Sequence, residues 1–197
     1  MITFIKLLKY KTPSENADGF DYAANLGLQK IDPSTEQPRA LDAPATIIIH
    51  SNMRRVIECV DFRADKKYIP RNELREILFD LRKMCEKGEW EKEKSRAVRR
   101  EFVNSFIKDT LPIKRAKILE EAKSILSLCY KLSEKKGVSV ISHSFRLKVI
   151  EAYIGTSGKL ESNPSLLGKY IHADKKTFEF GEGFKIDRSV LMDLFVL

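Results

Sequence analysis

The sequence is poor in cysteine, and its three cysteines are far apart. Cys59, Cys85 and Cys129 are odd in number and lie in segments with helical patterning. Their spacing argues against a disulfide framework and provides no cluster of metal ligands. We therefore expect neither a metal nor another cofactor, and a reducing compartment, with the cytoplasm as the default.

Long hydrophobic runs are missing as well. No apolar stretch approaches the length of about 20 residues that a membrane-spanning helix needs. Residues 1–8 are apolar but too short and too interrupted for a signal peptide, and they predict a first strand instead. The sequence therefore predicts a protein without a membrane segment.

The chain is basic, but it contains many acidic residues as well. Its 36 Lys and Arg exceed its 28 Asp and Glu, which gives a formal net charge of +8. Such an excess can attract nucleic acid, acidic lipid, phosphorylated ligands or an acidic protein. Lysine and glutamate are interleaved, which favours an ordinary solvated surface. A basic nucleic-acid-binding module remains an alternative without a recognised motif, and its affinity would fall steeply with salt.

The composition is that of a folded globular chain. With 43% hydrophobic and 32% charged residues, the 197-residue chain differs clearly from a disordered one. This length suits one domain with a sizeable core. We therefore expect residues 1–197 to form a single domain.

Two segments have the pattern of a strand, a capping residue and a helix. Residues 45–50 are a continuous apolar run, and Ser51 or Asn52 follows as the expected cap of a helix over residues 53–60. Residues 138–142 repeat the pattern, with Ser142 or Ser144 as the expected cap of the next helix. Recurring units of this kind predict a mainly parallel sheet with helices on both faces.

His143 comes directly after the second of these strands. In open α/β sheets, ligands bind beyond the carboxyl ends of the strands, where helix N-termini offer free N–H groups. His143 is therefore a candidate binding residue. The alternative is a histidine that only caps its own turn.

The remaining segments complete the predicted architecture. Residues 95–108 form an amphipathic pattern, and a second one begins after Pro112, which predicts a helical hairpin inserted at about residues 94–136. Residues 178–186 predict a C-terminal β-hairpin with a glycine turn. The predicted fold class is α/β, a three-layer α/β/α sandwich with a mainly parallel sheet.

Four segments together resemble the histidine phosphatase superfamily, the phosphoglycerate-mutase-like group. The first strand ends where that family has an Arg-His-Gly signature, and here Lys9, Tyr10 and Lys11 stand in its place. The segment that begins at Ser51 is similar to the family's Ser-x-Leu-x-Arg-Ala stretch, which puts Arg55 at the phosphate-binding arginine. The resemblance thus implies that Lys9, Lys11 and Arg55 contact phosphate.

The other two segments carry the acid and the late histidine of the family. Residues 74–80 are similar to the segment that holds the proton donor, which corresponds to Glu76. Ile141-Ser142-His143-Ser144 matches the late Ser-His-Gly motif with serine for glycine. The resemblance therefore implies Tyr10, Glu76 and His143 as catalytic residues and adds His143 to the phosphate contacts.

The first signature departs from the family at all three positions. The family's attacking histidine is Tyr10 here, and an unperturbed phenol has a pKa of about 10, so it is mostly protonated near neutral pH. Lys9 keeps the charge of arginine but lacks its planar bidentate fork. Lys11 adds bulk where the family has glycine. These changes indicate relaxed or redirected chemistry.

Three functions remain open from the sequence. The first is a degenerate histidine-phosphatase-like protein, a pseudo-phosphatase that binds a phosphorylated small molecule or nucleotide, or that scaffolds a protein partner or a second copy. The second is an active phosphomonoesterase that uses Tyr10 or water as nucleophile. The third is the nucleic-acid-binding module. Each candidate residue also has a plain interpretation: Arg55 as half of a surface ion pair, Glu76 as a solvated helix residue, Tyr10 as core packing, and Lys9 and Lys11 as edge charges.

Overall fold

The computed structural model describes residues 1–6, 19–31, 33, 43–175 and 181–195. Within these residues the chain forms a five-stranded sheet with the strand order β3-β2-β4-β1-β5. The strands are β1 (Ile2–Lys6), β2 (Ile47–Ser51), β3 (Lys67–Arg71), β4 (Val138–Ser142) and β5 (Gly183–Ile186). The helices are α1 (Gly19–Gly27), α2 (Arg54–Ile57), α3 (Leu81–Met84), α4 (Lys87–Glu93), α5 (Ser95–Lys108), α6 (Arg115–Leu132), α7 (Ser144–Gly155) and α8 (Arg188–Phe195). No helix of this part of the chain is long and apolar enough to cross a membrane.

The sheet is mainly parallel, as the sequence predicts. Strands β1, β2, β3 and β4 are parallel to one another, and β5 pairs antiparallel with β1. Lys6 is in register with Ser142, and Ser51 is in register with Arg71. The carboxyl ends of β1, β2, β3 and β4 therefore lie along one edge of the sheet, which we call the carboxyl edge.

Side chains alternate between the two faces of the sheet, and each face carries its own core. Phe4, Ile49 and Val140 belong to the large core, which includes side chains of α5, α6, α7 and α8. Ile48 and Ile141 belong to a smaller core on the opposite face, formed with residues of α2 and of the segment after it. This arrangement confirms the three-layer α/β/α prediction.

The helical hairpin also agrees with the prediction. Helix α5 spans the predicted residues 95–108, and α6 follows after a short connection. Arg115, the first residue of α6, joins the two helices, because its guanidinium donates to the carbonyls of Phe106 and Ile107 at the end of α5. Of the predicted C-terminal hairpin, only β5 lies among the described residues, where it pairs with β1; residues 176–180 lie outside them, so the hairpin stays a prediction.

Two predictions about helix ends are wrong. Helix α2 stops at Ile57 rather than residue 60, and its N-cap position is Met53 rather than Ser51 or Asn52. The helix-like spacing of apolar residues in 20–31 predicts a longer helix, but α1 stops at Gly27. The backbone of Phe79 approaches closely there, because a Cβ on Gly27 would lie 2.7 Å from the Phe79 carbonyl oxygen. Tertiary contact thus ends α1 where the local pattern continues.

Candidate functional site

Arg55 and His143 meet at the carboxyl edge, although 88 positions separate them in the chain. Arg55 lies on α2, directly after β2, and His143 follows β4, which is the neighbour of β2 in the sheet. Their side chains touch, with 3.3 Å between Arg55 Nη2 and His143 Nδ1. Both residues are buried, Arg55 at 7% and His143 at 4% exposure. The interpretation of Arg55 as a surface residue is therefore wrong.

The contact with Arg55 fixes the tautomer of His143. A guanidinium can only donate hydrogen bonds, so Nδ1 of the imidazole accepts and the ring proton lies on Nε2. Nε2 lies 3.2 Å from Ser51 Oγ and donates to it. The same hydroxyl oxygen also lies 3.3 Å from the backbone N–H of Met53, which donates to it. Both ring nitrogens of His143 are thus engaged.

His143 is neutral near pH 7. Burial lowers its pKa well below the ordinary value of 6.5, and the positive charges of Arg55, Arg146 and Arg75 lower it further. A neutral ring that carries its proton on Nε2 can donate a hydrogen bond toward Ser51 but cannot accept the hydroxyl proton there. This arrangement therefore does not make Ser51 a nucleophile.

The low pKa of His143 predicts acid sensitivity. The unfolded ring binds a proton below about pH 6.5 that the folded ring does not, so folding stability is complete above this pH and falls as the pH is lowered. The loss has a limit of about 1.4 kcal/mol per pH unit for one proton. Urea titrations of the wild type and His143→Asn between pH 7.5 and 5.5 measure it.

Relative to His143→Asn, the wild type should lose stability as the pH falls, because asparagine keeps an acceptor for Arg55 but does not titrate. His172→Asn provides the matched control, since His172 is exposed. Parallel pH profiles for the wild type and His143→Asn would contradict a buried neutral imidazole.

Glu76 belongs to a non-helical segment that follows the 3-10 helix Asn72–Leu74. In the folded chain its carboxylate contacts the N-terminus of α7. Its Oε1 lies 3.1 Å from the backbone N of Ile77 and 3.1 Å from the backbone N of Arg146, and both N–H groups donate to it. Arg146 is the third residue of α7, so this carboxylate caps the helix from 70 positions away. The interpretation of Glu76 as a solvated helix residue is wrong.

The predicted caps of α7 have other roles. Helix α7 has His143 at its N-cap position without a side-chain cap bond, so neither the serine alternatives nor a capping imidazole is correct. Ser142 Oγ instead donates to the carbonyl of Leu74 at 2.7 Å. This bond holds the segment that carries Glu76 against the end of β4.

Opposing influences act on the Glu76 carboxyl. Burial raises its pKa above the ordinary value of 4.5, and this effect is the largest. The charge of Arg55 lowers the pKa, followed by the N–H groups of Ile77 and Arg146 and by the charge of Arg146. The net result is a raised pKa, which is the property that a proton donor requires.

Two residues that sequence reasoning missed hold the Glu76 segment in place. Gln29 donates to the carbonyl of Glu76 at 2.5 Å and accepts from Nε of Arg75 at 3.0 Å. Arg146, 2% exposed, donates to the carbonyl of Arg75 and pairs with Glu121 at 2.7 Å. A charged residue inside the apolar pattern of α7 is a signal that could have identified Arg146, whereas Gln29 has no local signal.

Lys9, Tyr10 and Lys11 lie outside the described residues. Strand β1 ends at Lys6, in register with Ser142 and one strand away from β2. The chain therefore leaves β1 at the same edge that carries Arg55 and His143, and the roles of these three residues remain predictions.

Two surface grooves of the described part of the chain lie away from the contact between Arg55 and His143. A groove of about 560 Å³ runs along β1 and β5, and one of about 370 Å³ lies beside α6. Neither is lined by Arg55 or His143. Within the described ranges, no group of three His, Cys, Asp or Glu side chains could hold a metal ion.

Comparison with known proteins gives a structural likeness but no match in sequence. No profile of a protein family matches the chain, and no curated protein matches its sequence. The chain is similar in structure to a mutant phosphoserine phosphatase from Entamoeba histolytica, crystallised in complex with phosphoserine. The TM-score is 0.46 at 15% identity, over 91% of this chain and 95% of that one. At this level the likeness assigns no role to any residue.

Proposed function

We propose that this chain is a degenerate histidine-phosphatase-like protein that binds a phosphorylated small molecule or nucleotide at its carboxyl edge. The observation that carries the proposal is the contact between Arg55 and His143, each of which follows one of two neighbouring parallel strands. Ligand sites in open α/β sheets lie at this kind of edge. The resemblance of the Ser51, Glu76 and His143 segments to the family supports the same assignment.

The chemistry of these groups suits a phosphate. The guanidinium of Arg55 presents a planar fork of donors that matches two phosphate oxygens. His143 adds the Nε2–H that Ser51 now accepts, and a ligand oxygen can replace the serine hydroxyl as acceptor. Helix α7 begins directly after His143, and its N-terminus favours negative charge.

The same groups give little support for efficient turnover. His143 carries its proton on Nε2, so it can stabilise an anion but cannot take a proton from a nucleophile at that nitrogen. Tyr10 replaces the attacking histidine of the family, and a phenol needs a strongly lowered pKa to attack phosphorus. Binding with slow or no hydrolysis is therefore the function that we propose.

Titration calorimetry with inorganic phosphate and a panel of nucleotides tests the proposal. Arg55→Met should weaken binding by roughly 10- to 100-fold, which corresponds to the loss of charge-assisted hydrogen bonds. Arg54→Met is the matched control, because Arg54 precedes Arg55 on α2 but is 64% exposed and pairs with Glu58. Binding that is absent in the wild type, or weakened equally by both changes, would refute the site.

A turnover assay on an aryl phosphate separates this proposal from an active phosphomonoesterase. We expect little hydrolysis by the wild type. Hydrolysis that disappears in both His143→Ala and Tyr10→Phe would instead establish catalysis with an atypical nucleophile.

A further inference from the structure

One end of helix α7 brings three charged or titratable side chains together. The ring of His143, the N-cap residue, contacts Arg55. Three positions later, the backbone N–H of Arg146 donates to the Glu76 carboxylate. Arg55 and Glu76 are therefore both positioned at this helix terminus, and the charge of Arg55 acts on the Glu76 carboxyl.

Among the positive charges near Glu76, that of Arg55 has the largest lowering effect on the pKa of its carboxyl. Arg146, on α7, already directs its guanidinium to Glu121 of α6 at 2.7 Å. Arg75 directs Nε to Gln29, which follows α1. Two further titratable groups belong to the same region: the neutral ring of His143, and Glu73, which accepts a hydrogen bond from Ser124 of α6.

We infer that an oxyanion that binds to Arg55 causes Glu76 to take up a proton from solvent. This inference rests on the proposed function, because it requires an anion at Arg55. The anion opposes the positive field of the guanidinium, and the half-buried carboxylate is then left with two N–H donors and the already paired Arg146. The carboxylate accepts a proton and becomes a carboxyl group, whose O–H can donate to an oxygen of the bound anion.

The sign of the pH dependence follows from this linkage. At low pH Glu76 is already protonated in the free protein, so binding takes up no proton. At higher pH the free protein carries the carboxylate, and binding is coupled to the uptake of a proton, whose concentration in solution is lower. Affinity for an anion that does not itself titrate should therefore fall as the pH rises, by up to about tenfold per pH unit for one proton.

Inorganic sulfate is a suitable probe, because it stays a dianion across the neutral range. Its binding enthalpy, measured by calorimetry at one pH in buffers of different ionisation enthalpy, gives the number of protons taken up. We expect net proton uptake by the wild type, with a limit of one proton per sulfate. Glu76→Gln should still bind sulfate, since its amide oxygen can accept both N–H bonds, but without proton uptake.

Glu73→Gln and His143→Asn complete the design. Glu73→Gln removes a nearby acid that does not bond the α7 terminus, so it should leave the uptake unchanged. Uptake that persists in Glu76→Gln and disappears in His143→Asn would overturn the inference and identify the imidazole as the proton acceptor. An infrared difference spectrum of the wild type, with and without sulfate, should show a carboxylate band replaced by a protonated carboxyl band, and this readout does not depend on any variant.

The two proposals fail in different ways. Sulfate that binds without proton uptake, or without a new carboxyl band, would overturn the proton linkage and leave the proposed anion site intact. A wild-type protein that binds neither sulfate nor phosphate would overturn the proposed function, and the proton linkage with it.

Discussion

Glu121→Ala is expected to lower the free energy of unfolding by about 3–5 kcal/mol, which is typical when one partner of a buried ion pair is removed. Glu121 is the carboxylate that pairs with Arg146, and the Arg146 side chain is 2% exposed. Without this carboxylate, the guanidinium in the protein interior loses its ion-pair partner, and only the charges of Glu76 and Glu73 still act on it. The large expected effect comes from this poorly compensated charge and not from the strength of the ion pair itself.

Urea denaturation at pH 7, followed by two spectroscopic probes, measures this loss. Glu120→Ala is the matched control, because Glu120 is the preceding residue of α6 but its side chain is 69% exposed. The double variant Glu121→Leu, Arg146→Met should recover much of the stability, since it removes both charges and keeps apolar volume. If Glu121→Ala costs no more than Glu120→Ala, the Arg146 charge is solvated in the folded protein.

Phe102→Ala is expected to lower the free energy of unfolding by about 3–5 kcal/mol through a cavity in the main core. Phe102 is completely buried on α5 and stacks on Phe145 of α7, with 4.1 Å between ring centroids and 5° between planes. Phe145 in turn meets Phe79 edge to face. The deletion therefore removes apolar burial and also an aromatic contact that joins the helical hairpin to α7.

The matched control is Phe62→Ala, which removes the same atoms from a ring that is 53% exposed. It should cost much less in the same urea titration. Because Phe145 follows His143 by two positions, Phe102→Ala should also weaken phosphate binding if the hairpin supports the start of α7. Equal losses of stability for the two variants would show that the α5–α7 packing is not the main core.

Most elements of the fold could be predicted from local pattern. The period of apolar residues in 95–108 predicts α5 with the correct limits, and the β-branched run after Gly137 predicts β4. Strand β3 was missed, because Pro70 interrupts its pattern. β3 is an edge strand, where a proline without an N–H is tolerated.

The candidate site could be predicted only in part. His143 and the segment that contains Arg55 each follow the end of a predicted strand, and this local feature identified both as candidates without knowledge of their contacts. The partners of these side chains could not be predicted in this way. Arg146 and Glu121 are 25 positions apart, and Glu76 and Arg146 are 70 apart, so no helical or strand period relates them.

The amino-acid sequence by itself determined an α/β chain with a mainly parallel sheet and with basic and titratable residues at the ends of its strands. These properties follow from hydrophobic period, β-branching and the position of polar residues along the chain. Tertiary structure alone decided the tautomer of His143, the burial of Arg55 and the place of Glu76 at the start of α7. The physical reason is that strand register and burial fix these properties, because they set which distant groups share one desolvated edge.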